Sequence, residues 1–115
     1  MKDIGSSTAG SLVGTGDEHL AWSAYSALGI SHRRVEILRF LLSRERTSVS
    51  QVMAEFGLTR NGVLGHLRAM QQGGLISVSR TTHPRGAGPI SYWKADTEAV
   101  FELMEGLQLH VLSVS

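Results

Sequence analysis

Residues 48–72 carry two helix start signals on either side of one glycine, and this arrangement constrains the fold more than any other feature of the chain. Ser48 followed three residues later by Gln51 is a capping box, which predicts a short helix. Gly57 ends that helix, and Thr59 is placed to cap a longer one. Two helices joined by three or four residues that include a glycine form a helix-turn-helix pattern.

Signals on both sides of this pattern predict a mainly α-helical domain with a small β-hairpin. Upstream, Asp17 and Ser31 are placed to cap two further helices. Downstream, residues 75–80 alternate apolar and polar side chains as a strand does, and residues 90–95 are expected to return as its partner. Asp96 is then placed to cap a last helix. The predicted order is α-α-α-α-β-β-α.

The length and composition indicate one globular domain preceded by a tail. The chain has 115 residues, and residues 1–16 are rich in Gly, Ser and Thr without an apolar period, so we expect a flexible tail followed by a domain over residues 17–112. There are no cysteines, which excludes disulfides and thiolate metal sites. No apolar run approaches the ~20 residues of a membrane span, and the start lacks the pattern of a secretory signal.

The net charge of +1 conceals a strong asymmetry along the chain. Residues 30–95 hold ten Arg and Lys but only three Glu, whereas the flanks are acidic. Between Gly57 and Ala95 there is no acidic residue at all. A stretch of this kind predicts a surface for a polyanion such as nucleic acid.

The central residues resemble a known family. The runs RRVEILRFLL and SVSQVMAEFGLTRNGVLGHLRAMQQGGLISVSR are similar to those of winged helix-turn-helix transcriptional regulators of the ArsR (arsenical-resistance repressor) type, with MarR-type regulators as near relatives. The similarity covers about residues 28–95 and is most specific over 52–76. The resemblance implies a winged helix-turn-helix fold and a cytoplasmic, nucleoid-associated homodimer that sets two recognition helices into the major grooves of double-stranded DNA.

The helical period over residues 59–72 predicts which side chains reach the DNA. Val63, Leu67 and Met70 form the inward stripe, and the polar residues lie opposite. Asn and Gln pair with adenine and Arg with guanine, while the start of a helix suits phosphate. Leu64 and Gly65 replace the polar residues usual in the family, so we expect sparse base reading. The hairpin is the expected wing of the domain, and its tip, residues 81–89, is expected to lie on the DNA backbone or in the minor groove. The predicted DNA-binding residues are Thr59, Arg60, Asn61, Leu64, Gly65, Arg68, Gln72, and, from the hairpin, Arg80, His83, Arg85 and Lys94.

The terminal helices are predicted to form the dimer interface. Their apolar stripe is longer than a small winged domain covers, and a two-fold interface would bury it. The predicted interface residues are Trp22, Tyr25, Val100, Leu103, Met104, Leu107 and Val111. Packing of both helices on their own subunit is the alternative. Glu98 and Glu102 lie one helical turn apart, but His110 falls on another face, so we expect no metal and no cofactor.

No enzyme motif is present: there is no phosphate loop and no nucleophile with a base at a suitable spacing. The leading interpretation is a dimeric, sequence-specific DNA-binding regulator that acts as a repressor. The alternatives are a DNA-architectural protein, such as a plasmid-partition or excision factor, on the same fold, and a winged domain used for protein contacts. The operator and any effector are not encoded in these patterns.

Overall fold

The computed structural model describes residues 10–82 and 88–113, with side chains from residue 19 onward. The elements are α1 (Gly10–Leu28), α2 (His32–Leu42), β1 (Thr47–Ser48), α3 (Val49–Phe56), α4 (Arg60–Gln72), β2 (Ile76–Thr82), β3 (Pro89–Ala95) and α5 (Thr97–Leu112). The predicted order of five helices and two hairpin strands is confirmed, and β1 is added to it. The chain divides into two compact units, Met1–Glu36 and Ile37–Ser115.

The caps of the helix-turn-helix are those the sequence predicts. The Ser48 hydroxyl accepts a hydrogen bond from the Gln51 backbone N–H at 3.2 Å, and Gln51 Oε1 accepts from the Ser48 N–H at 2.8 Å. Gly57 ends α3 in the left-handed conformation, at φ 63°. The Thr59 hydroxyl then accepts from the Gly62 N–H at 3.1 Å and so starts α4. These local bonds satisfy backbone groups that the helix ends would leave unpaired.

The core of the second unit lies where α2, α3, α4 and the sheet meet. The inward stripe predicted for α4 is confirmed, because Val63, Leu67 and Met70 are all buried. Trp93 of β3 is 5% exposed and closes the core from the sheet side. The buried apolar residues are Ile37, Leu41, Val49, Val52, Val63, Leu67, Met70, Ile76, Trp93 and Ala95. Their shared burial fixes α4 against the sheet, since each large side chain removed from water contributes roughly 1.5–3 kcal/mol.

The sheet has three antiparallel strands in the order β1-β3-β2. β1 escaped sequence reasoning because two residues are too few to show alternation. It forms through tertiary pairing, with Thr47 opposite Trp93 and Ser48 opposite Tyr92. β2 and β3 form the predicted hairpin, from Ile76 opposite Ala95 to Thr82 opposite Pro89.

The start of α1 differs from the prediction. The helix begins at Gly10, so residues 10–16 are helical rather than part of a flexible tail, and Asp17 lies inside the helix instead of capping it. The physical reason is that residues 10–16 contain no proline, and glycine lowers helix stability by about 1 kcal/mol without blocking the backbone bonds. Residues 1–9 lie outside the described part of the chain.

Candidate nucleic-acid interface

The exposed side of α4 carries the polar residues that the sequence places there. Asn61, Gly65, Arg68 and Gln72 are all exposed, on the opposite side from the buried stripe. Thr59 and Arg60 are exposed at the start of the helix, where Thr59 is occupied as the N-cap. Leu64 is half-buried, packed against the core cluster. The chain therefore presents a polar helix face to solvent, as a recognition helix requires.

A groove of about 220 Å³ lies between α4 and the sheet. We call it the α4–wing groove; its lining residues are Val49, Arg60, Leu64, Arg68, Val78, Arg80, Ser91 and Trp93. Arg60, Leu64 and Arg68 follow one another at intervals of four residues, so they form one ridge along α4. The lining contains three arginines, no carboxylate and an apolar floor. Such a groove is strongly electropositive and suits a phosphate backbone.

The strand register explains how Arg80 reaches this groove. Arg80 is paired with Ser91, and Val78 with Trp93. Residues that are paired directly across strands point to the same face of a sheet, and residues two apart along a strand share that face. The face that buries Trp93 therefore also directs Arg80 toward α4. Helix and hairpin arginines thus converge on one groove although they are far apart in sequence.

Lys94, predicted to act beside Arg80, does not join the groove. It follows Trp93 directly in β3 and is paired with Ser77, so its side chain lies on the other face of the sheet. The physical reason is the two-residue period of a strand, which separates neighbours onto opposite faces. The predicted contact of Lys94 with DNA stays a prediction, and it would be made from the other face of the sheet.

Two predicted contacts, His83 and Arg85, lie outside the described residues. Their assignment to the hairpin tip stays a prediction. The hairpin is described as far as Thr82, paired with Pro89, and Gly88 precedes that pair with φ 90°.

One basic residue near the sheet was missed by sequence reasoning. The Arg46 guanidinium lies 4.3 Å above the centre of the Tyr92 ring. Arg46 belongs to the loop before β1, where no periodic pattern marks a function. Only the pairing of β1 with β3 brings it to the sheet. The sequence places Tyr92 on a predicted strand, but it does not show that Arg46 lies against its ring.

The terminal helices expose most of their predicted interface residues. In α5 no residue is buried, and Leu103 and Met104 are 53% and 61% exposed. Leu107, Val111 and Trp22 are also exposed, whereas Val100 and Tyr25 are half-buried. The structure adds Phe101, Leu109 and Leu112, which are exposed on another side of α5. In α1, Trp22 and Tyr25 lie beside the His32 ring, at centroid distances of 5.9 and 5.4 Å.

Neither a metal centre nor a membrane-spanning helix is found within residues 10–82 and 88–113. No group of three or more His, Asp or Glu side chains converges there. None of the helices in the same ranges combines the length and the apolar character needed to cross a bilayer.

The helix-turn-helix followed by an antiparallel hairpin defines a winged helix-turn-helix domain. Residues 31–78 match the model of the family described as bacterial regulatory protein, arsR family. This segment runs from the residue before α2 into β2, so the resemblance to ArsR-type regulators is confirmed over the helix-turn-helix itself. No curated protein matches the chain.

Solved structures share the fold. An apo-form mutant of ZitR from Lactococcus lactis is 21% identical, with 89% of this chain and 74% of that chain covered at a TM-score of 0.54. The multiple antibiotic resistance repressor MarR is 16% identical. The match covers 85% of this chain and 69% of that chain, at a TM-score of 0.56. Reduced HlyU from Vibrio cholerae is 17% identical. The match covers 88% of this chain and 99% of that chain, at a TM-score of 0.51. The family match covers the helix-turn-helix, and the three solved structures show that the chain as a whole has the winged helix-turn-helix fold.

Gly65 offers a direct test of the exposed face of α4. A Cβ at this position would meet nothing within 4 Å, so Gly65→Ala is expected to stabilise the fold by about 1 kcal/mol through helix propensity. The added methyl would stand where DNA approaches, so we expect lower DNA affinity despite higher thermal stability. Melting curves and mobility shifts measure the two effects.

Gly106 in α5 supplies the matched control. It is also helical and exposed, and a Cβ there likewise meets nothing within 4 Å. Gly106→Ala should raise stability by a similar amount and leave DNA affinity unchanged. Equal DNA affinity of Gly65→Ala and the parent chain would remove Gly65 from the interface.

Proposed function

We propose that this chain is a homodimeric, sequence-specific DNA-binding repressor. The observation that carries the proposal is the α4–wing groove, where Arg60, Arg68 and Arg80 line one cavity beside the exposed polar side of α4. A duplex with α4 in its major groove would lay one phosphate backbone along this groove. The three guanidinium groups then neutralise phosphates, and the exposed face of α4 meets base edges.

Each part of α4 has its own role in this arrangement. Asn61 lies in the first turn, the part of a recognition helix that reaches deepest, and its amide suits adenine. Thr59 and Arg60 act on phosphate at the helix start. Arg68 lines the α4–wing groove, so we assign it to the backbone rather than to guanine. Gln72, the last residue of α4, would lie at the edge of the proposed contact with DNA.

The dimer is proposed from the exposed apolar side chains of α5. Leu103, Met104, Leu107 and Val111 are each at least 46% exposed and lie on one side of the helix. Large apolar side chains grouped on an exposed surface are typical of an interaction site. A two-fold interface built on this stripe would bury it. Trp22 of α1 stays a predicted interface residue. Two α4 helices then face successive major grooves, and a bound dimer that overlaps a promoter blocks transcription at the nucleoid.

The experiment that tests the function is selection of bound DNA from a random pool, followed by mobility shift at several salt concentrations. We expect one two-fold symmetric motif and a fall of log affinity with log salt whose slope is several units. A set of unrelated sequences with long footprints would favour a DNA-architectural role. No shift at low salt would contradict DNA binding and leave the winged domain as a protein-binding module.

Asn61→Ala is expected to relax the preference for one base pair in each half-site, at a cost of about 1–3 kcal/mol in discrimination. Binding to unrelated DNA should stay unchanged because no phosphate contact is lost. Gln71→Ala is the control, since Gln71 is an exposed α4 amide outside the predicted base contacts. Repeating the selection with both variants measures the effect, and an unaltered motif from Asn61→Ala would contradict the assignment.

A further inference from the structure

The sheet has a second polar face, which points away from the α4–wing groove. The cross-strand row of Ser48, Tyr92 and Ser79 lies on it, as does the pair of Ser77 and Lys94. Ser77, Ser79 and Lys94 are exposed. We call these five residues, together with Arg46 above Tyr92, the outer sheet face. Hydroxyl groups and cations of this kind are the side chains that contact DNA phosphates.

Arg46 is held in place on this face by the Tyr92 ring, 4.3 Å from its guanidinium carbon. A guanidinium that rests on an aromatic ring loses less conformational freedom when it binds phosphate. Lys94 lies two residues along β3 from Tyr92, on the same side of the strand. Two cations are thus placed next to each other along a row of hydroxyls.

Two carboxylates are near the outer sheet face in sequence, and neither belongs to its strands. Of the two nearest carboxylates in sequence, Asp96 is engaged as the N-cap of α5, accepting from the Ala99 N–H at 3.0 Å. Glu45 precedes Arg46 in the loop and is the other. Within the described strands no Asp or Glu is present. The strands of the outer sheet face therefore offer hydroxyl groups and Lys94 to a ligand, without a carboxylate among them.

A duplex seated in the α4–wing groove does not reach the outer sheet face. The two faces point in opposite directions, and Lys94 lies five residues from Pro89 at the distal end of the hairpin, about 16 Å along the strand. The described strands add one aliphatic side chain to this side, Ile90, and the rest of their residues there are polar or aromatic. A protein partner that binds this face instead of DNA would leave the capture of a second duplex absent.

We infer that the outer sheet face binds the phosphate backbone of a second DNA duplex, so that the protein bridges two DNA segments. The inference rests on the proposed function, since the first duplex occupies the α4–wing groove. It gives Lys94 a role that its position away from Arg80 otherwise leaves open. It also assigns a ligand to Arg46, which the specific site does not use.

A bead capture experiment tests the bridge. A duplex that carries the selected site is fixed to beads, and a fluorescent duplex of unrelated sequence is added with the full-length protein. We expect retention of fluorescence at low salt and a loss of about tenfold for the double variant Arg46→Gln, Lys94→Gln. Affinity of the double variant for the specific site alone should match that of the parent chain.

Arg44→Gln is the matched control, because Arg44 is likewise stacked at 4.3 Å, but on Phe40 of α2. It should capture as much fluorescent DNA as the parent chain. Three results would each overturn the inference. The double variant could capture as much fluorescent DNA as the parent chain, the parent chain could capture none, or the double variant could lose affinity for the specific site to the same extent as it loses capture. Failure of the parent chain to bind the selected site would instead contradict the proposed function. If the double variant is unstable, the single variant Lys94→Gln, at an exposed position, takes its place in the capture experiment.

Discussion

Replacing both Arg60 and Arg80 with alanine is expected to lower affinity for all DNA sequences by at least about 100-fold. Hydrogen bonds to charged groups contribute roughly 1.5–3 kcal/mol each, and these arginines come from opposite walls of the α4–wing groove. The slope of log affinity against log salt should fall by about 2, since two phosphate contacts are lost. The base preference should stay the same, because neither residue is assigned to a base edge.

Mobility shifts with the selected site and with unrelated DNA, each at several salt concentrations, measure these effects. The control removes two charges outside the groove, by Arg44→Ala and Lys94→Ala. Lys94 lies on the opposite face of the sheet, so this control should keep the affinity for a single specific duplex. A similar loss in both proteins would mean that only the total charge matters and that the groove is not the contact.

Leu107→Glu is expected to convert the proposed dimer to monomers. Leu107 is 46% exposed in the isolated chain, in the middle of the α5 stripe, and a two-fold interface would bring both copies of the carboxylate into an apolar contact. Burying unpaired charges costs several kcal/mol, enough to raise the dissociation constant more than 100-fold. Binding to an operator with two half-sites should fall with it, because the two helices no longer bind as one unit.

Leu109→Glu is the control for this prediction. It lies on the same helix but about 200° around the axis from Leu107, and it is 66% exposed. Sedimentation should show a dimer for Leu109→Glu and a monomer for Leu107→Glu, with similar helix content in both. A dimer that withstands Leu107→Glu would place the interface elsewhere, and the face with Phe101, Leu109 and Leu112 would be the next to test.

The helix-turn-helix could be predicted because its signals are local. A capping box acts over four residues, and the left-handed glycine and the Thr59 cap act within one turn of helix, so each is visible in a short window of sequence. The buried side of α4 follows from the helical period in the same way. The exposed side of α4 was therefore also correct, residue by residue.

The candidate site was predicted less completely, because a list of basic residues does not say which of them meet. Arg80 and Lys94 both belong to the hairpin, but the register places one in the α4–wing groove and the other on the outer sheet face. The start of α1 was wrong for a different reason. A Gly-rich segment without proline is unfavourable for a helix but not excluded from one, so composition alone did not decide it.

The amino-acid sequence by itself determined the order of the helices and hairpin strands, the caps of the helix-turn-helix, the polar side of α4 and the basic character of residues 30–95, because each depends on near neighbours or on composition. Only the tertiary structure decided which distant residues share a surface: that Arg60, Arg68 and Arg80 line one groove, and that Arg46 rests on Tyr92. The physical reason is strand pairing. Backbone hydrogen bonds between β1, β3 and β2 set the register, and a shift of one residue would move every side chain of a strand to the opposite face.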